Sequence, residues 1–259
     1  MNKFKKELLA RKDFRNADLS GKDLSNMDFT ECDFTGCNFT GANLEETIFK
    51  DCTLDYADFT EANLRKAIFY QASIQSASFS ETNLYKASLA FADIYNSYFY
   101  RARMLYIDLS YAKMNCAQFI SSNMKYASMD GVNAKDTVFT NTCLDSANLT
   151  RADLERAGFN NTSLLDVKFY DAITTGVDFT QANLAGAKFD YSSFPLWCGT
   201  LEANIDERTA KQLLYHLIRC TSKDNPFISK EFRETLHTQE LIKLANEFHR
   251  AEECGVINW

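Results

Sequence analysis

Proline is almost missing from this chain: the only two stand at Pro195 and Pro226. The whole stretch before Pro195 is without proline, which fits a ladder in which nearly every backbone N–H has to bond. No run approaches the roughly 18 apolar residues of a membrane span. Residues 1–12 offer only Leu8, Leu9 and Ala10 as an apolar core, too short for a signal peptide, so a short capping helix in a cytoplasmic protein is expected. The eight cysteines form no CxxC pair, which leaves metal and thioredoxin-like readings without their signature. The three histidines, His216, His237 and His249, match no zinc spacing, and there is no Gly-rich phosphate loop, GxSxG or HExxH. A non-enzyme without cofactor or metal is expected.

What the chain has instead is a frame of five. Every fifth residue from Phe14 to Phe194 makes 37 positions, of which 35 are Leu, Phe, Ile or Met; the exceptions are Ala134 and Thr174. Two residues before most centres sits a small residue, as at Ala17, Cys32, Cys37, Ala42 and Ala57, and a polar residue lies between. A period of five suits neither a lone helix nor a lone strand. It works if each unit is one side of a coil that turns a corner and starts again. A longer period of twenty sets four sides per coil: Leu24, Leu44, Leu64 and Leu84 form one column, and Phe39, Phe59, Phe79 and Phe99 another. Cys32 and Cys52 are also twenty apart, so a disulfide between them is geometrically conceivable, although nothing else points to an oxidising compartment.

Ala17-Asp18-Leu19-Ser20-Gly21, Ala62-Asn63-Leu64-Arg65-Lys66 and Ala182-Asn183-Leu184-Ala185-Gly186 follow A-(D/N)-L-x-x outright. The chain thereby resembles the pentapeptide-repeat family. The resemblance implies an all-β solenoid, a right-handed quadrilateral parallel β-helix, with the handedness taken from the family. About nine coils at ~4.8 Å make a rod roughly 43 Å long. The expected organisation is a capping helix over 1–12, the β-helix over 13–196 and a helical C-terminal cap over 197–259. Repeat proteins need such caps because an open coil exposes unpaired edges.

Charge is uneven. Residues 13–61 carry twelve acids against Arg15, Lys22 and Lys50, whereas residues 62–196 balance at twelve of each sign. Asp13, Asp18, Asp23, Asp28 and Asp33 make a candidate acidic surface. Some family members mimic DNA and bind DNA gyrase, so gyrase binding with quinolone protection is the alternative function. The acidic zone spans only about 12 Å, three or four base pairs of DNA, and its acids fall on successive sides. No basic patch signals direct nucleic-acid binding, and no membrane contact is expected.

The principal reading is therefore a non-catalytic interaction scaffold for an unknown protein partner. Outward aromatics cluster in the middle coils: Tyr85, Phe91, Tyr95, Tyr98, Tyr100, Tyr106, Tyr111 and Tyr126. They either shield the sheet or meet a partner. Helical stripes at Leu213, Leu217, Leu241 and Phe248 exceed what one coil end can cover, so a homodimer through these helices is expected, with Tyr98, Tyr106 and Tyr126 as the competing surface.

Overall fold

The computed structural model describes residues 12–189. The expected N-terminal helix lies outside these residues apart from Lys12. The C-terminal helices, with Leu213, Leu217, Leu241 and Phe248, lie outside them entirely. Within them the chain winds as a four-sided coil of twenty residues per turn. Parallel bridges join each residue of the polar slot to its equivalent twenty positions on, from Asp13↔Asp33 to Lys168↔Lys188. Side one carries the bridge Asp13↔Asp33, side two Asp18↔Asn38, side three Asp23↔Asn43 and side four Asp28↔Ile48. No helix occurs among the described residues.

The five N–H groups of a unit have separate destinations, which explains the repeat. In the unit around Phe34, the Phe34 N–H donates to Thr53 O at 2.7 Å and the Gly36 N–H to Asp55 O at 2.8 Å, both in the next coil. The Cys37 N–H closes the turn on Phe34 O at 2.9 Å, and the Asn38 N–H reaches down to Ala17 O at 2.9 Å. The remaining N–H, that of Thr35, donates to Asp33 Oδ1 at 2.9 Å. A polar-slot Asp or Asn is thus an Asx cap for the residue two positions on.

The corners are where the backbone is most constrained. Every fifth residue from Asn16 to Gly186 has φ between 53° and 72°, the left-handed region, and 29 of these 35 are not glycine. A side chain there costs roughly 1–2 kcal/mol. The hydrogen-bonded turn, with positive φ at its third residue as in a type II turn, and the inter-coil bond from the same corner offset that strain.

The core is dry and columnar. Each centre from Phe14 to Phe189 is at most 6% exposed, including Ala134 and Thr174. On side two, Phe39, Phe59, Phe79, Phe99 and Phe119 stack with ring centroids 4.6–4.8 Å apart. Side four meets them edge-on: Phe59 and Phe69 lie 5.9 Å apart at 89°. Such pairs add about 0.5–1.5 kcal/mol beyond burial. The small slot departs from burial in four places: Ala17 and Val177 are partly exposed, and Lys12 and Lys22 are outside. Lys12 and Lys22 both sit in the first described coil.

Polar residues in the small slot are consumed locally. Thr47 Oγ1 donates to Leu24 O at 2.9 Å, Thr82 Oγ1 to Phe59 O at 2.9 Å and Thr137 Oγ1 to Met114 O at 2.7 Å. Ser97 goes further: its hydroxyl donates to Ile74 O at 2.6 Å and accepts the Ala77 N–H at 3.1 Å, bridging a turn of the coil below. No disulfide joins Cys32 to Cys52, so the conceivable bridge is not formed.

Candidate functional site

With the core filled by side chains, chemistry is left to the outward positions: the polar slot and the two corner residues. Among the described residues no group of three His, Cys, Asp or Glu is placed to hold a metal. Burial pushes the thiols of Cys37 and Cys52 up to about 12, which makes them poor nucleophiles.

The five acidic-surface residues are all polar-slot caps. Asp13, Asp18, Asp23, Asp28 and Asp33 accept the N–H of Arg15, Ser20, Ser25, Thr30 and Thr35 respectively, at 2.9–3.2 Å. The first four are exposed and Asp33 is half-buried. The Ser20 and Thr30 hydroxyls, then the same residues' N–H groups, hold the carboxyls of Asp18 and Asp28 below their usual range. Asp13 and Asp33 share side one, while Asp18, Asp23 and Asp28 stand on sides two, three and four. The structure therefore does not gather them on one face.

The aromatic residues divide by edge. On the edge between sides three and four, Tyr106 stacks on Tyr126 at 4.9 Å and 10°, and Tyr85 meets Tyr106 edge-on at 6.2 Å. Cations interleave with them: Arg65 lies 5.1 Å from the Tyr85 ring centre, Lys86 5.4 Å from Tyr85 and 5.8 Å from Tyr106, and Lys125 5.3 Å from Tyr126. On the edge between sides four and one, Tyr70 packs edge-on to Phe91 at 5.4 Å, and Phe91 stacks on Tyr111 at 5.1 Å. The Tyr111 ring lies over Gly131, where an added Cβ would come within 2.6 Å of it. Its hydroxyl accepts Arg151 Nη2 at 3.0 Å, and Arg151 in turn pairs with Asp130.

Side four thus lies between two aromatic spines. Its own outward row is Ile68, Ser88, Asp108 and Ser128. Tyr98 is not part of this surface. It projects from side two, opposite side four, with its hydroxyl 3.4 Å from Asn96 Oδ1. The structure brings Tyr106 and Tyr126 together and leaves Tyr98 apart. Tyr70, Lys86 and Arg151 belong to the spines yet were not singled out by their exposure pattern. The available signal was position modulo twenty, which puts Tyr85, Lys86, Tyr106 and Tyr126 on one corner and Tyr70, Phe91, Tyr111 and Arg151 on the next.

A coil of this geometry, built from five-residue units with one small and one large inward residue, defines the protein as a four-sided parallel β-helix. The chain belongs to the pentapeptide-repeat family. The model of the pentapeptide repeat region matches residues 22–99, and that of pentapeptide repeats in eight copies matches 106–141, 135–169 and 162–195. The family's right-handed solenoid is the fold seen here. Solved structures like it include HetL of the cyanobacterium Nostoc, a pentapeptide-repeat protein involved in heterocyst differentiation regulation. HetL is 25% identical over 74% of this chain and 82% of its own, with a TM-score of 0.62. QnrB1, a plasmid-mediated fluoroquinolone resistance protein, is 17% identical over 77% of this chain and 94% of its own, with a TM-score of 0.57, a likeness of fold alone. No curated protein matches the chain.

Proposed function

We propose that the protein is a non-catalytic scaffold that holds a protein partner against its rigid rod, and that it works in the cytoplasm. The observation that carries this is side four. Phe91, Tyr106, Tyr111 and Tyr126 are 42–48% exposed and belong to two continuous spines, with Ile68, 39% exposed, on the face between them, where isolated aromatics would be unremarkable. HetL, the similar structure at 25% identity, is described as acting in regulation, which suits a scaffold. The test is co-purification of the intact chain from its native cells after in-cell crosslinking. A stoichiometric protein partner is expected; recovery of the chain alone at every expression level would refute the reading.

We further propose that two copies pair through the C-terminal helices, by Leu213, Leu217, Leu241 and Phe248. Light scattering should give a dimer for the intact chain and a monomer for Leu241→Glu or Phe248→Glu. A dimer untouched by either change would move the contact to the tyrosines.

The second reading is a DNA mimic that binds gyrase. It is favoured by the exposed carboxylates of Asp13, Asp18, Asp23 and Asp28 and by the fold shared with QnrB1. It is weakened by the dispersal of those carboxylates over four sides. A gyrase supercoiling assay with and without a quinolone decides it: unchanged activity in both arms eliminates this reading.

A further inference from the structure

The two spines differ in charge, and the difference specifies a partner. Outward residues on the edge between sides three and four run Arg65, Lys66, Tyr85, Lys86, Leu105, Tyr106, Lys125 and Tyr126. Arg65 and Lys66 pair with Glu45 and Glu46 one coil below, at 3.4 and 2.5 Å, and Lys125 reaches Asp145 one coil above, at 3.8 Å. Lys86, exposed in the middle, pairs with no carboxylate among the described residues and is held between the Tyr85 and Tyr106 rings. Across side four from it stand two acids: Asp108, whose Oδ1 already accepts the Ser110 N–H at 3.0 Å, and Asp130, which pairs with Arg151. The middle of this side is therefore cationic and aromatic in a protein of net charge −7.

The rings decide between kinds of anion. Tyr106 and Tyr126 stack along the rod, and so do Phe91 and Tyr111, so each ring covers one face of its neighbour, while Lys86 stands over Tyr106, Lys125 over Tyr126, the Tyr70 edge against Phe91 and Gly131 against Tyr111. What they turn to solvent is their rims. A ring edge is the positive part of the aromatic quadrupole. It favours a carboxylate or an aliphatic side chain and offers no open face for a nucleobase to stack on. We infer that side four binds an acidic, aliphatic-bearing segment of a partner protein, with a partner carboxylate on Lys86 and apolar side chains between the spines.

The inference rests on the scaffold reading and is tested separately from it. The probe is a fluorescein-labelled peptide of alternating Glu and Leu, titrated with the intact protein and followed by anisotropy at low salt. Saturable binding is expected, weakened about tenfold or more by Lys86→Glu and by Tyr106→Ala, and unchanged by Tyr98→Ala on the opposite side. A peptide of alternating Lys and Leu and an oligothymidylate should not bind. Thermal unfolding of each variant guards against loss through misfolding. No binding of the acidic peptide, binding indifferent to Lys86→Glu, or equal binding of the oligothymidylate would overturn the inference. A native partner that still co-purifies with the Lys86→Glu, Tyr106→Ala double variant would sink it too, while leaving the scaffold reading intact.

Discussion

Replacing the acidic-surface aspartates separates their two possible roles, charge and cap. Asp28 Oδ1 accepts the Thr30 N–H at 2.9 Å and its hydroxyl at 2.6 Å, and Asp33 does the same for Thr35 at 2.9 and 2.6 Å. Asn38, in the same slot on the next side, caps Thr40 at 2.9 and 2.6 Å without a charge. The geometry is thus indifferent to the change from carboxylate to amide. Asp28→Asn and Asp33→Asn should each leave stability within about 0.5 kcal/mol at pH 7. Asp28→Ala and Asp33→Ala lose the acceptor for an otherwise unbonded N–H and should each cost about 1–2 kcal/mol. At this size that lowers the melting temperature by roughly 2–4 °C per kcal/mol. Differential scanning calorimetry of the four variants checks it. The Asp28 carboxyl is held below its usual range by the Thr30 hydroxyl, then the Thr30 N–H. Its share of stability is therefore present above about pH 4 and lost as pH falls through the lowered value, and Asp28→Asn should remove that share of the acid-limb slope. An Asn variant as damaged as its Ala counterpart would refute the cap account and return the carboxylates to a role in charge.

Three further outcomes follow from the same geometry. Phe119→Ala should destabilise the rod by about 3–5 kcal/mol in urea unfolding, since the ring is fully buried between Phe99 at 4.6 Å and Phe139 at 5.3 Å; an unchanged midpoint would count decisively against the stack. Gly131→Ala should cost more than Gly21→Ala: both corners have φ near 60°, but only at Gly131 does a Cβ meet the Tyr111 ring, so equal melting temperatures would mean that Tyr111 does not lie there. At pH 8 iodoacetamide should leave Cys37 and Cys52 unmodified in the native protein, with about one thiolate in ten thousand at a pKa of about 12; peptide mapping that finds either labelled as fast as in denaturant would contradict their burial.

How much of this was legible in the chain depends on which group makes the hydrogen bond. The inward pattern was readable because a buried centre tolerates few residue types. Leu44 over Leu24 and Phe59 over Phe39 leave a trace at every coil, and even Ala134 and Thr174 keep the frame. The corners were not readable. Glu31, Tyr56 and Lys66 adopt left-handed φ, which no residue preference announces, because the turn and the inter-coil bonds impose it. Handedness was equally silent, since a period of twenty is the same in either hand. The aspartates carried an ambiguous signal: an Asx cap and an acidic surface ask for the same residue, and only the Thr30 and Thr35 bonds tell them apart. The tyrosines were seen as exposed, but exposure does not say which edge. Tyr98 and Tyr106 are eight residues apart in the chain, yet a corner at Tyr100 and Arg101 and the whole of side three separate them.

That separation follows from how this fold divides its labour. Four of the five N–H groups of a unit are bonded by backbone alone, so the polar slot need only offer an occasional cap, and the corner side chains are excused from holding the coil. Corner side chains can therefore vary widely, Gly131 under the Tyr111 ring apart, and the twenty-residue register turns a residue repeated in successive coils into a column. A Tyr placed two coils running becomes a stacked spine, as at Tyr106 and Tyr126, and a Lys at its foot becomes a fixed cation, as Lys86 does between the Tyr85 and Tyr106 rings. The surface such a rod presents is set by which side a column occupies and which residues lie level with it. The contrast between side four, with two aromatic spines and a cation that pairs with no carboxylate among the described residues, and the first coils, whose acids are dispersed around the coil and bound to their own turns, is the physical reason to look for the proposed partner on side four.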